Sequence, residues 1–174
     1  MGREVTLFTK PEELIAWLDD NDLLMGLSEN EAEILLNYME GHDYAIGTDA
    51  AGKIVRMDIA EENGEVEDFS IDDVIDTVCN WNYELILEAD SKRSNPTDFI
   101  DFANEQSRYE RLKADEQVLD KLFDKTIYGQ RIADLGKQMA EQFIENLKKN
   151  KDISEGVAVV AEQVRQYSTG NRGR

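Results

Sequence analysis

Apolar and polar residues alternate in short segments over the first 69 residues. Alternation over residues 5–8 predicts a short strand. Alternation over residues 44–46 and 55–59, on either side of the turn at 49–52, predicts a β-hairpin. A second turn signal precedes residues 66–69, which predicts a third short strand. The first part of the chain is therefore expected to hold a small antiparallel sheet.

Two helices are predicted between the first strand and the hairpin. Thr9 and Glu12 have the spacing of a capping box around Pro11, and Ser28 with Glu31 repeats this spacing. The first helix carries apolar residues at positions 14, 15, 17 and 18, and the second carries them at 34, 35, 38 and 39. Gly41 marks the end of the second helix.

From Ser70 the apolar residues recur every three or four positions, which predicts helices to the end of the chain. Ser70 with Asp73, the segment 95–98 and Ser154 are the helix-start signals. Four apolar stripes are expected, and the second is expected to be buried at every position. The stripes are Val74, Ile75, Val78, Trp81, Leu85 and Ile86; Phe99, Phe102, Leu112, Leu119 and Leu122; Ile132, Leu135, Met139, Phe143 and Leu147; and Val157, Val160, Val164 and Tyr167.

These elements predict an α+β fold. A small N-terminal α/β unit with a β-hairpin or three-stranded antiparallel sheet spans residues 1–69, and about four helices follow in residues 70–168. Because no Pro- or Ser-rich linker separates the two parts, one shared core is an open alternative. Residues 169–174 are expected to form a flexible tail.

The acidic charge is concentrated in one half of the chain. The whole sequence of 174 residues carries a formal net charge of −19. Residues 1–90 hold 24 acidic and 4 basic side chains, a net of −20, whereas residues 91–174 hold 14 acidic and 15 basic, a net of +1. A half-chain that repels itself so strongly loses stability, which favours a role for its field in binding another molecule.

Composition predicts a folded protein without disulfides. Apolar residues make up 41% of the chain, and Cys79 is the single cysteine. The first ten residues lack the apolar stretch of a signal peptide, and no run has the roughly 18 apolar residues of a membrane helix. We expect a cytoplasmic protein that binds neither membranes nor nucleic acid directly, because anionic lipid and phosphate repel acidic surfaces.

No catalytic or cofactor motif is present. Cys79 is predicted to lie inside an apolar helix and His42 directly after a helix, so both are interpreted as structural. The acidic cluster between Glu61 and Asp76 lacks the spacing of a calcium-binding loop, and the segment 47–53 lacks the Gly-Lys-Ser/Thr ending of a phosphate-binding loop. We therefore expect no enzyme activity, no cofactor and no metal site.

The acids of the first half define the candidate binding site. If they lie on one surface, their carboxylates imitate a row of phosphates and fit the Lys- and Arg-lined cleft of a nucleic-acid-handling protein. The alternative is an even distribution that serves solubility. The candidate residues are Asp19, Asp20, Asp22, Glu29, Glu31, Glu33, Glu61, Glu62, Glu65, Glu67, Asp68, Asp72, Asp73 and Asp76.

Two segments carry a resemblance to a group of known proteins. They run from Asp68 to Leu85 and from Ala114 to Asp120. The stretch from Tyr44 to Tyr128 that contains them resembles small acidic accessory proteins of integrative conjugative elements of Gram-positive gut bacteria. Proteins in such elements assist transfer or disarm host defences such as restriction enzymes and CRISPR nucleases.

The resemblance implies an anti-defence inhibitor of the anti-CRISPR or antirestriction type. Its expected partner is a basic nucleic-acid-binding protein such as a Cas nuclease or a restriction enzyme. The alternative is a structural or adaptor protein of conjugative transfer that binds a protein partner through an apolar patch such as exposed Trp17 or Trp81. The sequence leaves the oligomeric state open.

Overall fold

The structure, a computed structural model, describes residues 4–21 and 26–172. The described elements are strand β1 (Val5–Leu7), helices α1 (Pro11–Asp20) and α2 (Glu29–Gly41), strands β2 (Tyr44–Asp49), β3 (Ile54–Asp58) and β4 (Val66–Asp68), and helices α3 (Ile71–Ser94), α4 (Phe99–Lys125) and α5 (Ile127–Arg172). This order confirms the predicted α+β fold class.

The four strands form one antiparallel sheet in the order β1-β2-β3-β4. Its central hairpin pairs Thr48 with Ile54 and Tyr44 with Asp58. The turn between them closes with Gly52 at φ 79°, in the left-handed region that favours glycine. Strand β1, predicted as a short strand, pairs with β2 at the edge, so the sheet has four strands where a hairpin or three strands were predicted.

The chain divides into two compact units, residues 1–130 and 131–174. In the first unit, one apolar core contains residues from α1, α2, β2, β3, α3 and α4. The predicted 1–69 segment therefore shares its core with the two helices that follow it. The largest fully buried side chains of this core include Leu14, Leu35, Ile46, Ile75 and Leu122.

The second unit consists of α5 from residue 131 onward. The predicted break at Ser154 is absent, because α5 continues through this residue, and three helices rather than four follow the sheet. Residues 169–172 of the predicted tail are helical, and residues 173 and 174 lie outside the described part.

Helix starts follow the predicted signals at three of five positions, Ser154 being one of the two exceptions. Ser28 and Glu31 form the reciprocal capping box of α2, and Ser70 accepts the Asp73 N–H at the start of α3. Asp98 caps α4. The predicted Thr9–Glu12 pair is wrong, because Lys10 precedes α1 and the Thr9 hydroxyl donates instead to the Glu13 carboxylate at 2.9 Å.

Burial of the α4 stripe is confirmed for Leu112, Leu119 and Leu122 and is wrong for the first turn of the helix. Phe99 is 81% exposed and Phe102 39% exposed. The last packed layer between α3 and α4 is made by Arg93, whose guanidinium lies 3.7 Å from the Tyr109 ring centroid. The first turn of α4 lies beyond this layer, at the loop end of the helical hairpin.

A buried polar node links three helices of the first unit. The Asn82 side-chain amide of α3 donates to the Tyr38 hydroxyl of α2 at 2.8 Å and to the Leu112 carbonyl of α4 at 3.0 Å. The Tyr38 hydroxyl in turn donates to the Asp115 carboxylate at 3.0 Å. Mainly because of burial, the pKa of Tyr38 is raised to about 12.

We expect Asn82→Ala to lower the free energy of unfolding by about 1–3 kcal/mol, because it removes a donor from a buried carbonyl and a partly buried hydroxyl. Chemical denaturation measures the difference. Asn80→Ala, an exposed position on the same helix, is the matched control and is expected to change it by less than about 0.5 kcal/mol. Equal effects of the two substitutions would contradict the structural role of the node.

Candidate protein-binding surfaces

Cys79 and His42 have separate surroundings. The Cys79 thiol lies 3.6 Å from the Leu119 carbonyl oxygen. Burial, with a smaller contribution from the charges of Asp120 and Asp76, raises the pKa of this thiol to about 12. The His42 ring stacks on Trp81 at a centroid distance of 3.9 Å, and its Nδ1 lies 3.0 Å from the Tyr38 carbonyl oxygen. These contacts give each residue a packing role and do not form a nucleophile–base pair.

The predicted exposure of Trp17 and Trp81 is wrong, because both indoles are partly buried against the core. Trp81 lies between the rings of His42 and Tyr44. The Trp17 indole N–H donates to the Gly52 carbonyl at 2.9 Å and fixes α1 to the β2–β3 turn.

Four of the predicted binding acids hold the fold together. Glu31 accepts the Ser28 N–H in the α2 capping box. Glu67 pairs with Arg56 at 2.5 Å. Asp72 accepts the Ile127 N–H at 3.1 Å, and Asp73 accepts the Tyr128 hydroxyl at 2.5 Å. The last two contacts fix the start of α5 to the start of α3.

A set of long-range contacts gathers many of the predicted acids at one end of the sheet. The Trp17–Gly52 hydrogen bond places the last turn of α1 beside the β2–β3 turn. The Phe69 N–H donates to the Ile54 carbonyl, which places the start of α3 at the same end. The Lys125 ammonium lies 3.5 Å from the carbonyl oxygen of Gly26, which precedes α2. Lys125 is two residues before Ile127, whose N–H donates to Asp72 at the start of α3. The residues that precede α2 therefore also lie at this end of the sheet.

We call the acids at this end the turn-end cluster. Asp19, Asp20, Glu29 and Asp68 in this cluster are exposed, whereas Glu31, Asp72 and Asp73 are half-buried. The cluster consists of Asp19, Asp20, Glu29, Glu31, Asp68, Asp72 and Asp73.

A second acidic group lies at the opposite end of β3. Glu61, Glu62 and Glu65 are exposed in the β3–β4 connection, and we call them the distal cluster. Asp68 of the turn-end cluster pairs with Val55, and the Glu65 carbonyl of the distal cluster accepts from the Asp58 N–H. The nearest members of the two clusters therefore lie three residues, about 10 Å, apart along the strands. Glu33 is exposed and Asp76 half-buried on α2 and α3. The remaining predicted residue, Asp22, lies outside the described residues.

Helix dipoles explain some of these acids and not others. Glu29 and Glu31 lie in the first turn of α2, and Asp72 and Asp73 in the first turn of α3, where negative charge stabilises a helix. Asp19 and Asp20 lie in the last turn of α1, which contains no basic residue, and there the dipole disfavours them by roughly 0.3–1 kcal/mol each. The last turn of α1 therefore carries charge at a cost to the helix.

Few cations of the first 90 residues reach the acids. No Lys or Arg occurs between residues 11 and 52 or between 57 and 91. The Arg56 guanidinium lies 4.5 Å from the ring centroids of both Tyr44 and Phe69 and is bound to Glu67. Lys53 lies in the β2–β3 turn and lines a groove with Asp68 and Asp73, and Lys125 is contributed to the same end by the second half.

The second unit presents a different surface, the apolar face of α5. We define this face by Ile132, Leu135, Met139, Phe143, Leu147 and Val160, whose exposed fractions are 51–64%. The sequence pattern identified the stripe correctly as helical. The pattern does not predict that this face is exposed, because periodicity shows that a helix is amphipathic and does not show which other helix or strand packs on its apolar side.

Neither a metal-ligating group nor a membrane-spanning helix is found in the described part of the chain. Over residues 4–21 and 26–172, no group of three or more His, Cys, Asp or Glu is arranged to hold a metal ion. Among the described helices, none combines the length and the apolar character that a bilayer span requires. Comparison with protein-family models, with curated proteins and with solved structures finds no match.

We expect the Cys79 thiol to react with a small disulfide reagent at pH 8 at least about ten-fold more slowly than the same thiol in the denatured chain, because the thiolate is the reactive form. Absorbance of the released thiolate measures the rate. Equal rates in the native and the denatured protein would contradict the raised pKa and reopen the assignment of Cys79 as a nucleophile.

Tyr128→Phe is expected to raise the pKa of Asp73 toward its ordinary value, because the Tyr128 hydroxyl is the main reason that this pKa is lowered. A lowered folded-state pKa stabilises the protein above the ordinary value of 3.8 and loses this effect as the pH falls through the folded-state pKa. Wild type should therefore be more stable than the variant at neutral pH, and the difference should vanish in acid.

Carboxyl NMR titration and denaturation at several pH values measure these two effects. Tyr83→Phe, at an exposed position of α3, is the control and should leave the Asp73 titration unchanged. An unchanged titration in Tyr128→Phe would exclude the proposed contact.

Proposed function

We propose that this chain is a non-enzymatic inhibitor whose acidic surface occupies the basic nucleic-acid cleft of a host defence protein. The partner class is a Cas9-type nuclease or a restriction enzyme, in line with the resemblance to accessory proteins of conjugative elements. The observation that carries the proposal is the gathering of the turn-end cluster from three separate helix ends.

Charge supports this assignment. The segments that supply the two clusters contain no Lys or Arg, and Arg56 of β3 is held by two aromatic rings and Glu67. Lys53 and Lys125 lie at the turn end, where the seven acids of the cluster outnumber them and leave a negative field. A basic cleft would be attracted to it at distances of about one Debye length, 8 Å at physiological salt.

The separation of the clusters also supports it. About 10 Å separates the nearest members of the turn-end and distal clusters along the strands, which is of the same order as the roughly 12 Å width of the DNA major groove. A protein cleft that holds a duplex carries basic residues on both sides of it, so two acidic groups at this separation suit such a cleft better than one continuous patch.

The position of Asp19 and Asp20 provides a further argument. Acids at a helix C-terminus oppose the helix dipole and serve solubility no better than acids placed elsewhere on the surface. Their presence at the turn-end cluster is explained if the charge acts on a partner.

A second candidate is a structural or adaptor protein of conjugative transfer. The apolar face of α5 favours it, because its six exposed side chains form a patch large enough for a protein partner. Binding through this face would depend little on salt, whereas binding through the acidic clusters would weaken steeply as salt rises.

Three variants that each remove three negative charges test the proposal. The turn-end variant is Asp19→Asn, Asp20→Asn and Glu29→Gln; the distal variant is Glu61→Gln, Glu62→Gln and Glu65→Gln. The control variant is Glu84→Gln, Glu110→Gln and Asp134→Asn, at exposed positions outside both clusters. All three have the same net charge, so they differ only in the location of the removed carboxylates.

The measurement is protection of a plasmid from cleavage by a purified Cas9–guide complex and by a restriction endonuclease, with added protein. We expect the wild type to protect against one of these enzymes, the control variant to match it, and the turn-end variant to need at least about ten-fold more protein. Absence of protection against both enzymes overturns the proposed partner class. Protection that all three variants retain overturns the acidic surface as the binding site.

A further inference from the structure

The apolar face of α5 is large for a surface that remains in water. Its six side chains are each more than half exposed and, at roughly 100 Å² of exposed area each, they present on the order of 600 Å². A standard specific interface buries about 800 Å² on each partner. This one face therefore supplies most of the area that a stable dimer needs.

From Ile132 to Leu147 the face is continuous, and it is separated from the charges of the helix. At 100° per residue, the six side chains fall within an arc of about 140°, and Ile132 and Val160 mark its two ends along the axis. Every Lys, Arg, Asp and Glu between residues 131 and 151 falls on the remaining arc of the same helix. A second copy of the face would thus meet apolar groups without burying a charge from this segment.

We propose that α5 binds the α5 of a second copy of this chain through its apolar face, with the two helices antiparallel. The interface is isologous, so one two-fold axis relates the copies. In the register that places Ile132 of one copy opposite Val160 of the other, the axis passes beside Asn146, at the midpoint of the two positions.

Charge selects the antiparallel orientation. Residues 1–90, which carry a net charge of −20, precede α5 in the chain. Parallel helices would bring two of these acidic segments to the same end of the pair, where they repel each other. Antiparallel helices place them at opposite ends of an overlap of about 40 Å, which is several Debye lengths.

Asn146 supports the same arrangement. It lies within the arc of the apolar face, is exposed, and accepts a hydrogen bond from Gln142 of its own helix at 3.1 Å. Gln142 and Asn150 also fall within the arc. Polar residues inside an apolar seam fix the register of paired helices. In the register given above, Asn146 meets its own copy at the two-fold axis and Gln142 lies opposite Asn150, so the polar residues of the seam pair with one another.

The first test is the mass of the full chain in solution by sedimentation velocity. We expect twice the chain mass of 19.9 kDa. Leu135→Gln with Phe143→Gln should raise the dissociation constant of the dimer at least about 30-fold, because buried apolar contacts at the centre of an interface dominate its affinity. The control pair, Asp134→Asn with Glu141→Gln on the charged side, should leave it unchanged.

The second test is oxidative cross-linking in a Cys79→Ala background. Ile132→Cys and Val160→Cys proteins should each cross-link weakly alone and strongly when the two are mixed, since the antiparallel pair places position 132 opposite position 160. Strong cross-linking of each protein with itself would overturn the antiparallel orientation.

A wild-type chain that remains at 19.9 kDa at 100-fold the concentration of the assay overturns the dimer and returns the face to a different protein partner. This outcome is distinguishable from failure of the proposed inhibition, because plasmid protection depends on the acidic clusters and the mass depends on α5. The circular dichroism of each variant checks that the helices are retained.

Discussion

Burial of the apolar side of helix α3 is the interaction on which the first unit depends. Val74, Ile75 and Val78 contact a core shared with α1, α2 and the sheet, and Ile86 and Ala89 continue the buried side against α4. Asn82 lies between these two groups and satisfies polar atoms of α2 and α4 from the middle of the helix. Helix α3 therefore fixes helix α4 relative to α1, α2 and the sheet.

The acidic character of the first half is compatible with folding because this core lies beneath it. Part of the charge is also used locally, since Asp72 and Asp73 bind the start of α5 while stabilising the first turn of α3. Because some acids, such as these two, stabilise the fold, a count of acidic residues overstates the number that are available to bind a partner. The carboxylates with no internal role, Asp19 and Asp20 above all, are better candidates than those that hold the fold.

The sequence predicted the elements well because caps and periodicity are local. Ser28, Ser70 and Asp98 begin helices as expected, since the donors that their side chains satisfy lie within the next turn. Thr9 fails because Pro11 and the strand before it set the helix start, so its hydroxyl reaches Glu13 instead. Phe99 fails because burial depends on whether a neighbouring element reaches that position, and this information is not contained in the helix itself.

The same limit applies to the candidate site. Sequence reasoning grouped the acids of residues 19–33 with those of 61–76, but strand β3 separates Glu61, Glu62 and Glu65 from the turn-end cluster. The contact of Lys125 with Gly26, 99 residues apart, had no local signal. The three acidic helix ends are brought together by long-range contacts, Trp17 with Gly52, Phe69 with Ile54 and Lys125 with Gly26.

The acidic first half of the chain and the apolar face of α5 have opposite effects on association with a second copy of the chain, and an antiparallel pair must meet both demands. An exposed apolar stripe favours self-association, whereas a net charge of −20 in the first half resists it wherever two such halves approach. The proposed antiparallel pair satisfies both demands, because it buries the stripe while the two acidic halves lie at opposite ends of the overlap. Such a pair would present two copies of the acidic surface, which suits a target that binds nucleic acid at two equivalent sites.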